Sequence, residues 1–142
     1  MRSKLIVFEN NLNKDNNITL TIVKKLSKKL KKLNITPVIG ECTSDFLKKN
    51  IQSREYIFII DTMISGVMAG TVMTTPLNTH NLKHDIMYTT HGTEIMQYLK
   101  TSKLNIEGTI ISIEVENPIN SLEGICKEVY EILSASIKDL KK

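Results

Sequence analysis

The stretch Glu55-Tyr56-Ile57-Phe58-Ile59-Ile60-Asp61-Thr62 gives the strongest indication of the fold in this sequence. Its run of apolar and aromatic residues, rich in β-branched types, indicates a strand buried on both faces, as in the centre of a parallel sheet. The strand ends on a carboxylate, and open α/β sheets bind ligands just beyond the carboxyl ends of their central strands. Asp61 is therefore predicted either to lie at the floor of a ligand crevice or to have a structural role, capping the strand and bonding the loop at 62–69.

Strand and helix patterns alternate on both sides of this stretch. The sequence predicts helices at 17–33, 43–51, 91–100 and 121–140, and strands at 4–8, 37–40, 56–61, 71–75 and 108–113. Such alternation indicates right-handed crossovers that place helices on both faces of a mostly parallel sheet. Because its alternation is weak, 71–75 is predicted to be an edge strand that stops at Pro76. The predicted sheet has one antiparallel edge strand. Residues 77–90 are predicted to be loop. The predicted fold is thus a three-layer α/β/α domain over residues 1–142, with a twisted sheet of about five strands.

The composition is that of an ordinary globular domain, with 142 residues, 41% hydrophobic and 24% charged. No apolar run approaches the roughly 20 residues that span a bilayer, so no membrane partner is expected. The first residues lead directly into a strand pattern and lack a signal-peptide cleavage site, so we expect a cytoplasmic protein. Cys42 and Cys126 show no metal or redox spacing and are predicted to be free thiols.

The net charge of +4 raises the question of nucleic-acid binding. Much of the excess comes from lysines on the predicted helix 17–33, while Arg2 and Arg54 are the only arginines. No aromatic residues interleave with the lysines, which favours a solvated helix face over a nucleic-acid surface. No nucleic-acid partner is therefore expected.

Acidic and polar residues follow several of the predicted strands. They are Glu9 with Asn10, Glu41 with Cys42, Asp61 and Glu114. No GxGxxG or GxxxxGK[ST] pattern follows the first strand, so a dinucleotide or nucleoside-triphosphate site is not predicted. An acidic crevice instead attracts a cation.

His91 lies at a predicted loop-to-helix junction, where ligands are often bound. A carboxylate with an imidazole is a suitable ligand set for nickel or zinc. The alternative is that His91 is a surface residue capping a helix turn. His80 and His84 are predicted to be plain surface residues of the loop.

Several ordered segments together resemble one known family. They are Asn10, four intervening residues and Asp15-Asn16; Cys42–Leu47; Ile59-Ile60-Asp61; Ala69-Gly70-Thr71-Val72; Thr90-His91; Gly108–Glu114; and Ser121-Leu122. Each segment is weak alone. Their order and spacing over essentially the whole chain resemble the hydrogenase maturation peptidases, which trim a C-terminal extension from the large subunit of nickel–iron hydrogenases.

The resemblance implies a metal site and a reaction. Carried over by position, the metal ligands are Asn16, Asp61 and His91, with Asp61 and His91 as the catalytic pair. Asn16 replaces a carboxylate and Glu9 replaces a turn glycine, and a neutral amide oxygen binds a cation more weakly. Asp15 and Glu9 are therefore candidate auxiliary ligands. The implied cofactor is nickel supplied by the partner, a hydrogenase large-subunit precursor, rather than permanently bound.

Two other functions stay open from the sequence. In the first, the chain is a degenerate relative that has lost activity, because Asn16 replaces an expected carboxylate, and it acts as a binding or assembly module. It can also be a response-regulator-like receiver domain with Asp61 as phosphate acceptor. A receiver needs an acidic pair after its first strand and a lysine on a late strand. Glu9-Asn10 supplies half of that pair, and no lysine stands at Glu116-Asn117-Pro118.

Overall fold

The fold alternates strands and helices over the residues that this computed structural model describes, which are 3–9, 17–52, 55–117, 119 and 121–141. In chain order the elements are β1 (Ser3–Phe8), α1 (Ile18–Lys25), α2 (Ser27–Lys32), β2 (Ile35–Gly40), α3 (Ser44–Asn50), β3 (Tyr56–Met63), β4 (Val72–Asn78), a 3₁₀ helix (His84–Tyr88), α4 (Gly92–Thr101), β5 (Glu107–Glu114) and α5 (Leu122–Leu140).

The strands form one sheet in the order β2-β1-β3-β5-β4. All neighbouring pairs are parallel except β4 and β5, which are antiparallel. β3 is the central strand, and Ile59 pairs with Ile6 on one side and Ile110 on the other. The predicted mostly parallel sheet with one antiparallel edge strand is confirmed.

Helices cover both faces of this sheet. Side chains alternate between the two faces along each buried strand, so each strand contributes to both cores. Phe58 and Ile60 of β3 pack in one core with residues of α1, α2 and α5. Ile57 and Ile59 pack in a second core with residues of α3 and α4. The predicted three-layer arrangement is confirmed, and the alternation places Asp61 on the face that α3 and α4 cover. Among the described residues, no helix is long and apolar enough to cross a membrane.

The predicted helix 17–33 is interrupted at Leu26, which separates α1 from α2. Leu26 has φ −92° and ψ 3°, off the helical values. Its N–H nevertheless donates to the carbonyl of Ile22 at 3.0 Å, and the Leu30 N–H donates to the Leu26 carbonyl at 2.9 Å. The hydrogen bonds therefore run through the interruption, and the three apolar side chains all stay buried.

The prediction that the edge strand stops at Pro76 is wrong, because β4 continues to Asn78. The Glu114 N–H donates to the Thr71 carbonyl, and the Thr79 N–H donates to the Ile106 carbonyl. In an antiparallel pair every second residue directs its backbone N–H and C=O groups at the partner strand. The odd-numbered residues from 71 to 79 therefore direct these groups at β5. The nitrogen of Pro76 therefore faces away from β5, and its missing N–H costs the sheet no hydrogen bond.

The prediction that residues 77–90 are loop is also wrong in part. Two of them end β4, and the segment His84–Tyr88 is a 3₁₀ helix. Ile86 is fully buried and belongs to the core under α3 and α4. A single buried side chain anchors this helix, and one side chain gives no periodicity from which a helix can be predicted.

Candidate active site

Asp61 lies near the end of β3 and is only 3% exposed. One carboxylate oxygen, Oδ1, accepts the backbone N–H of Thr62 at 2.9 Å. The other, Oδ2, accepts the backbone N–H of His91 at 2.8 Å. A buried carboxylate needs such donors, because an unpaired charge in the interior is costly. Asp61 thus joins the central strand to the segment that begins α4.

His91 is the residue that precedes α4, and its ring faces Asp61. Its Nδ1 lies 3.0 Å from Asp61 Oδ1, and its side chain is 22% exposed. The Phe8 ring lies against it, with 4.7 Å between centroids. The structure thus brings together Asp61 and His91, two residues that the sequence singled out, at the carboxyl edge of the sheet.

The carboxylate also changes how readily His91 binds a proton. Burial lowers the pKa of His91, but the hydrogen bond with Asp61 and the charges of Asp61 and Glu94 outweigh burial. The pKa of His91 therefore lies above its ordinary value of 6.5. A more basic imidazole is both a better proton acceptor and a stronger metal ligand once it is neutral.

The position of His91 is fixed by the residues around it. The Thr90 N–H donates to the Thr62 carbonyl at 2.9 Å, and the two hydroxyls lie 2.6 Å apart. On the other side, Gly92 packs directly on the Ile86 carbonyl, in a position where any Cβ would collide with that oxygen. The junction is held between the end of β3 and the 3₁₀ helix, so His91 has little freedom to move away from Asp61.

The Asp61–His91 pair fits two ligand positions of a divalent metal. Two ligand atoms are about 3.0 Å apart when each lies about 2.1 Å from the same metal ion and the two bonds meet at a right angle. Asp61 Oδ1 and His91 Nδ1 are separated by the same distance, 3.0 Å. Within the described residues, no three His, Cys, Asp or Glu side chains converge as a metal site. The predicted ligand Asn16 and the auxiliary candidate Asp15 lie outside the described residues. The auxiliary candidate Glu9 is described, but it does not complete a three-ligand cluster.

Cys42, predicted at the carboxyl edge beside Glu41, lines a cavity of about 290 Å³ together with Glu94 and Tyr98. Burial raises the pKa of Cys42 to about 12, and the charges of Glu94 and Asp61 add to the effect. The thiol therefore stays protonated at neutral pH, in contrast to the thiolate that a cysteine nucleophile requires.

Glu94 is the residue near this site that the sequence analysis missed. It lies in the first turn of α4, and its charge acts on both His91 and Cys42. Its position three residues after the junction histidine was the available signal, since neighbours three apart share one face of a helix.

Glu114 was a further candidate for the crevice, and the structure gives it a structural role. It is fully buried, and its Oε1 accepts both the backbone N–H and the hydroxyl of Ser65, at 2.9 and 2.6 Å. Its Oε2 accepts the Glu116 N–H at 3.2 Å. The hydrogen bond from the Ser65 hydroxyl is the main reason that the pKa of Glu114 is below its ordinary range. Glu114 therefore holds the loop that follows β3.

His80 and His84 are exposed, as the sequence predicted. His80 donates its backbone N–H to the side chain of Asn78 at 2.9 Å. The His84 ring packs edge-on against Tyr88. Neither contact involves the Asp61–His91 pair.

Comparison with known proteins gives matches among solved structures. No protein-family model matches this chain, and no curated protein does. The chain is similar to the hydrogenase maturating endopeptidase HybD from E. coli, with 16% identity, a TM-score of 0.69, and coverage of 98% of this chain and 93% of that one. It is similar to the [NiFe] hydrogenase maturation protease HybD from Thermococcus kodakarensis, with 19% identity, a TM-score of 0.56 and full coverage of both chains.

A third similar structure is the hydrogenase 2 maturation peptidase from Thaumarchaeota archaeon SCGC_AB-539-E09. It shares 14% identity over 97% of this chain and 99% of that chain, with a TM-score of 0.62. The agreement in fold extends over nearly the whole length of each pair of chains. The resemblance indicated by the sequence is confirmed at the level of the fold, and this chain has the fold of hydrogenase maturation proteases.

Proposed function

We propose that this chain is an endopeptidase of the hydrogenase-maturation type. Its substrate is the precursor of a nickel–iron hydrogenase large subunit, and it removes the C-terminal extension of that precursor in the cytoplasm. The nickel belongs to the precursor and arrives with it. The observation that carries the proposal is the pairing of Asp61 with His91 at the carboxyl edge of β3, within the fold of these proteases.

The pair offers the chemistry that recognition of a metal-loaded substrate needs. A carboxylate oxygen and an imidazole nitrogen suit nickel, and their 3.0 Å separation matches neighbouring positions around one ion. Nickel bound there would act as a Lewis acid and as a template that orients the precursor. A precursor without nickel makes no such bond, so we expect cleavage to wait until the metal is in place.

Asp61 and His91 also provide a path for a proton. This role is an alternative to nickel binding at Nδ1: while Nδ1–H of His91 donates to Asp61, the opposite ring nitrogen is left as the acceptor, and the raised pKa makes it a better base. Asp61 fixes the ring orientation through two contacts, one to the backbone and one to the ring. In this role His91 would take a proton from a water molecule that attacks the scissile peptide bond.

Incubation with nickel-loaded and nickel-free forms of one precursor tests the proposal. We expect the loaded form to lose its C-terminal extension, detected as a mass decrease of the large subunit, and the nickel-free form to stay intact. Loss of the extension from both forms at equal rates would contradict recognition through nickel. An intact loaded precursor would contradict the peptidase itself.

One observation favours a second candidate, a binding or assembly module without activity. Asn16 replaces the carboxylate that the resemblance places at a metal position. If the chain has lost activity for that reason, wild type leaves the loaded precursor intact and Asn16→Asp or Asn16→Glu cleaves it. If wild type already cleaves, the added charge only tightens nickel binding.

The receiver interpretation conflicts with the topology. Receiver domains have the strand order 2-1-3-4-5, all parallel, whereas here an antiparallel β4 lies at the edge beyond β5. Asp61 is also 3% exposed, with both carboxylate oxygens engaged by Thr62 and His91. A phosphate acceptor needs a free oxygen that a phosphodonor can reach.

A further inference from the structure

The outer side of β4 presents a short open stretch of backbone. The odd-numbered residues of β4 bond to β5, so the N–H and C=O groups of Val72 and Thr74 point away from the sheet. Within the described part of the chain, no strand pairs with this side. Pro76 offers no N–H at the next outward position, so it separates the outward donors of Val72 and Thr74 from that of Asn78 at the end of the strand.

An apolar surface adjoins this open stretch. Six of the eight exposed large hydrophobic side chains in the described residues fall between 64 and 88, namely Ile64, Val67, Met68, Met73, Met87 and Tyr88. Val67, Met73 and Tyr88 line a cavity of about 340 Å³ whose walls include Met63 and Thr89. An apolar cavity of about 150 Å³ already holds a benzene ring, so this one accepts a large apolar side chain.

The cavity lies near the candidate active site, although neither Asp61 nor His91 lines it. Met63 and Thr89 pair as a β-bridge in its wall, and they lie two residues from Asp61 and His91 respectively. Met63 and Asp61 project from the same face of β3, because side chains two apart on a strand share a face. Two residues of strand span about 6.7 Å, so a bound polypeptide can reach from the cavity to the Asp61–His91 pair within a few residues.

We propose that the edge of β4 at Val72–Thr74 binds the precursor polypeptide as an added β-strand, with one of its apolar side chains in the cavity. The inference rests on the proposed function and names how the same site takes its substrate. Main-chain hydrogen bonds to Val72 and Thr74 give affinity without reading sequence, and the cavity selects an apolar residue near the cleaved bond. Pro76 marks the end of the added strand.

Cleavage kinetics of the nickel-loaded precursor with edge variants test this inference. Thr74→Pro removes the outward N–H and leaves the pairing with β5 intact, as Pro76 does two residues later. Thr74→Ala keeps the N–H and is the matched control. We expect KM to rise about tenfold or more in Thr74→Pro, with kcat within about threefold of wild type, and neither constant to change more than about twofold in Thr74→Ala.

A second pair of variants addresses the cavity without touching the sheet. Val67 lies on an exposed loop, so Val67→Trp fills the cavity at little risk to folding, and Leu104→Trp, at an exposed apolar residue that does not line the cavity, is its control. We expect Val67→Trp to raise KM about tenfold and Leu104→Trp to leave KM within about twofold of wild type. If circular dichroism shows that Thr74→Pro is unfolded, Val67→Trp and its control decide the question alone.

Three results would overturn the inference. In the first, wild type cleaves the precursor, and KM is unchanged both in folded Thr74→Pro and in Val67→Trp. The proposed function would then stand without this inference. Another is a wild-type dimer that Thr74→Pro converts to a monomer, since a second copy of the chain would then occupy the edge. The last is wild type that leaves the loaded precursor intact, which removes the proposed function and this inference together.

Discussion

The carboxylate of Asp61 bonds to both the backbone and the ring of His91, a residue 30 positions later in the chain. One group therefore fixes where α4 begins and how the imidazole is oriented. Such a double contact leaves the ring preorganised, so little is lost in ordering it when a ligand binds. The proposed peptidase activity depends on this relationship.

The packing at Gly92 should control the position of His91. In Gly92→Ala the new Cβ meets the carbonyl of Ile86, a backbone atom that cannot turn aside. We expect a loss of about 1–3 kcal/mol in unfolding free energy and reduced cleavage. Gly124→Ala is the control, because a Cβ there makes only ordinary contacts, with the side chain of Ser121, and alanine is favoured in a helix by about 0.5–1 kcal/mol. Urea unfolding measures both, and equal stabilities of the two variants would contradict the packing at Gly92.

The loop after β3 should be held by Glu114 in its ionised form. Its pKa in the folded protein lies below its ordinary value of 4.5, so its stabilising contribution is fully present above pH 4.5 and is lost as pH falls through the lowered pKa. We expect Glu114→Gln to be less stable than wild type at neutral pH, with the difference shrinking as pH falls below 4.5. Unfolding measured at several pH values tests this, and a difference that grows on acidification would contradict the assignment.

Cys42 should be dispensable for catalysis in spite of its place beside the site. With a pKa of about 12 instead of 9.0, it carries on the order of a thousandfold less thiolate at any neutral pH. In a Cys126→Ala background, we expect iodoacetamide to modify Cys42 on the order of a hundredfold more slowly in the folded than in the unfolded protein. Cys42→Ser should keep cleavage within about threefold of wild type. Abolished cleavage in that variant would make the thiol a participant in the reaction.

Those parts of the fold that depend on local pattern could be predicted from the sequence. The apolar run before Asp61 identified the central strand because a strand buried on both faces has no polar alternation. His91 was found because it stands where a helical pattern begins. Both features are readable within about ten residues of chain.

Other features depend on partners that are distant in sequence. Whether β4 passes through Pro76 is decided by its register with β5, which determines the side that the missing N–H faces. The interruption at Leu26 lies within an unbroken apolar stripe, and the 3₁₀ helix at His84–Tyr88 is anchored by a single buried side chain. The charge of Glu94 acts on Cys42 only because α3 and α4 pack together. Periodicity within one segment contains none of this information.

Cleavage of the nickel-loaded precursor by variants of Asp61 and His91 tests whether these two residues form the active site. Asp61→Asn preserves shape but loses the charge and one acceptor, and His91→Gln loses the imidazole. We expect each to lower kcat/KM at least about a hundredfold, with His80→Gln, an exposed histidine, as the unaffected control. Circular dichroism confirms that the variants fold. Cleavage that survives both Asp61→Asn and His91→Gln at the wild-type rate would contradict the proposed active site.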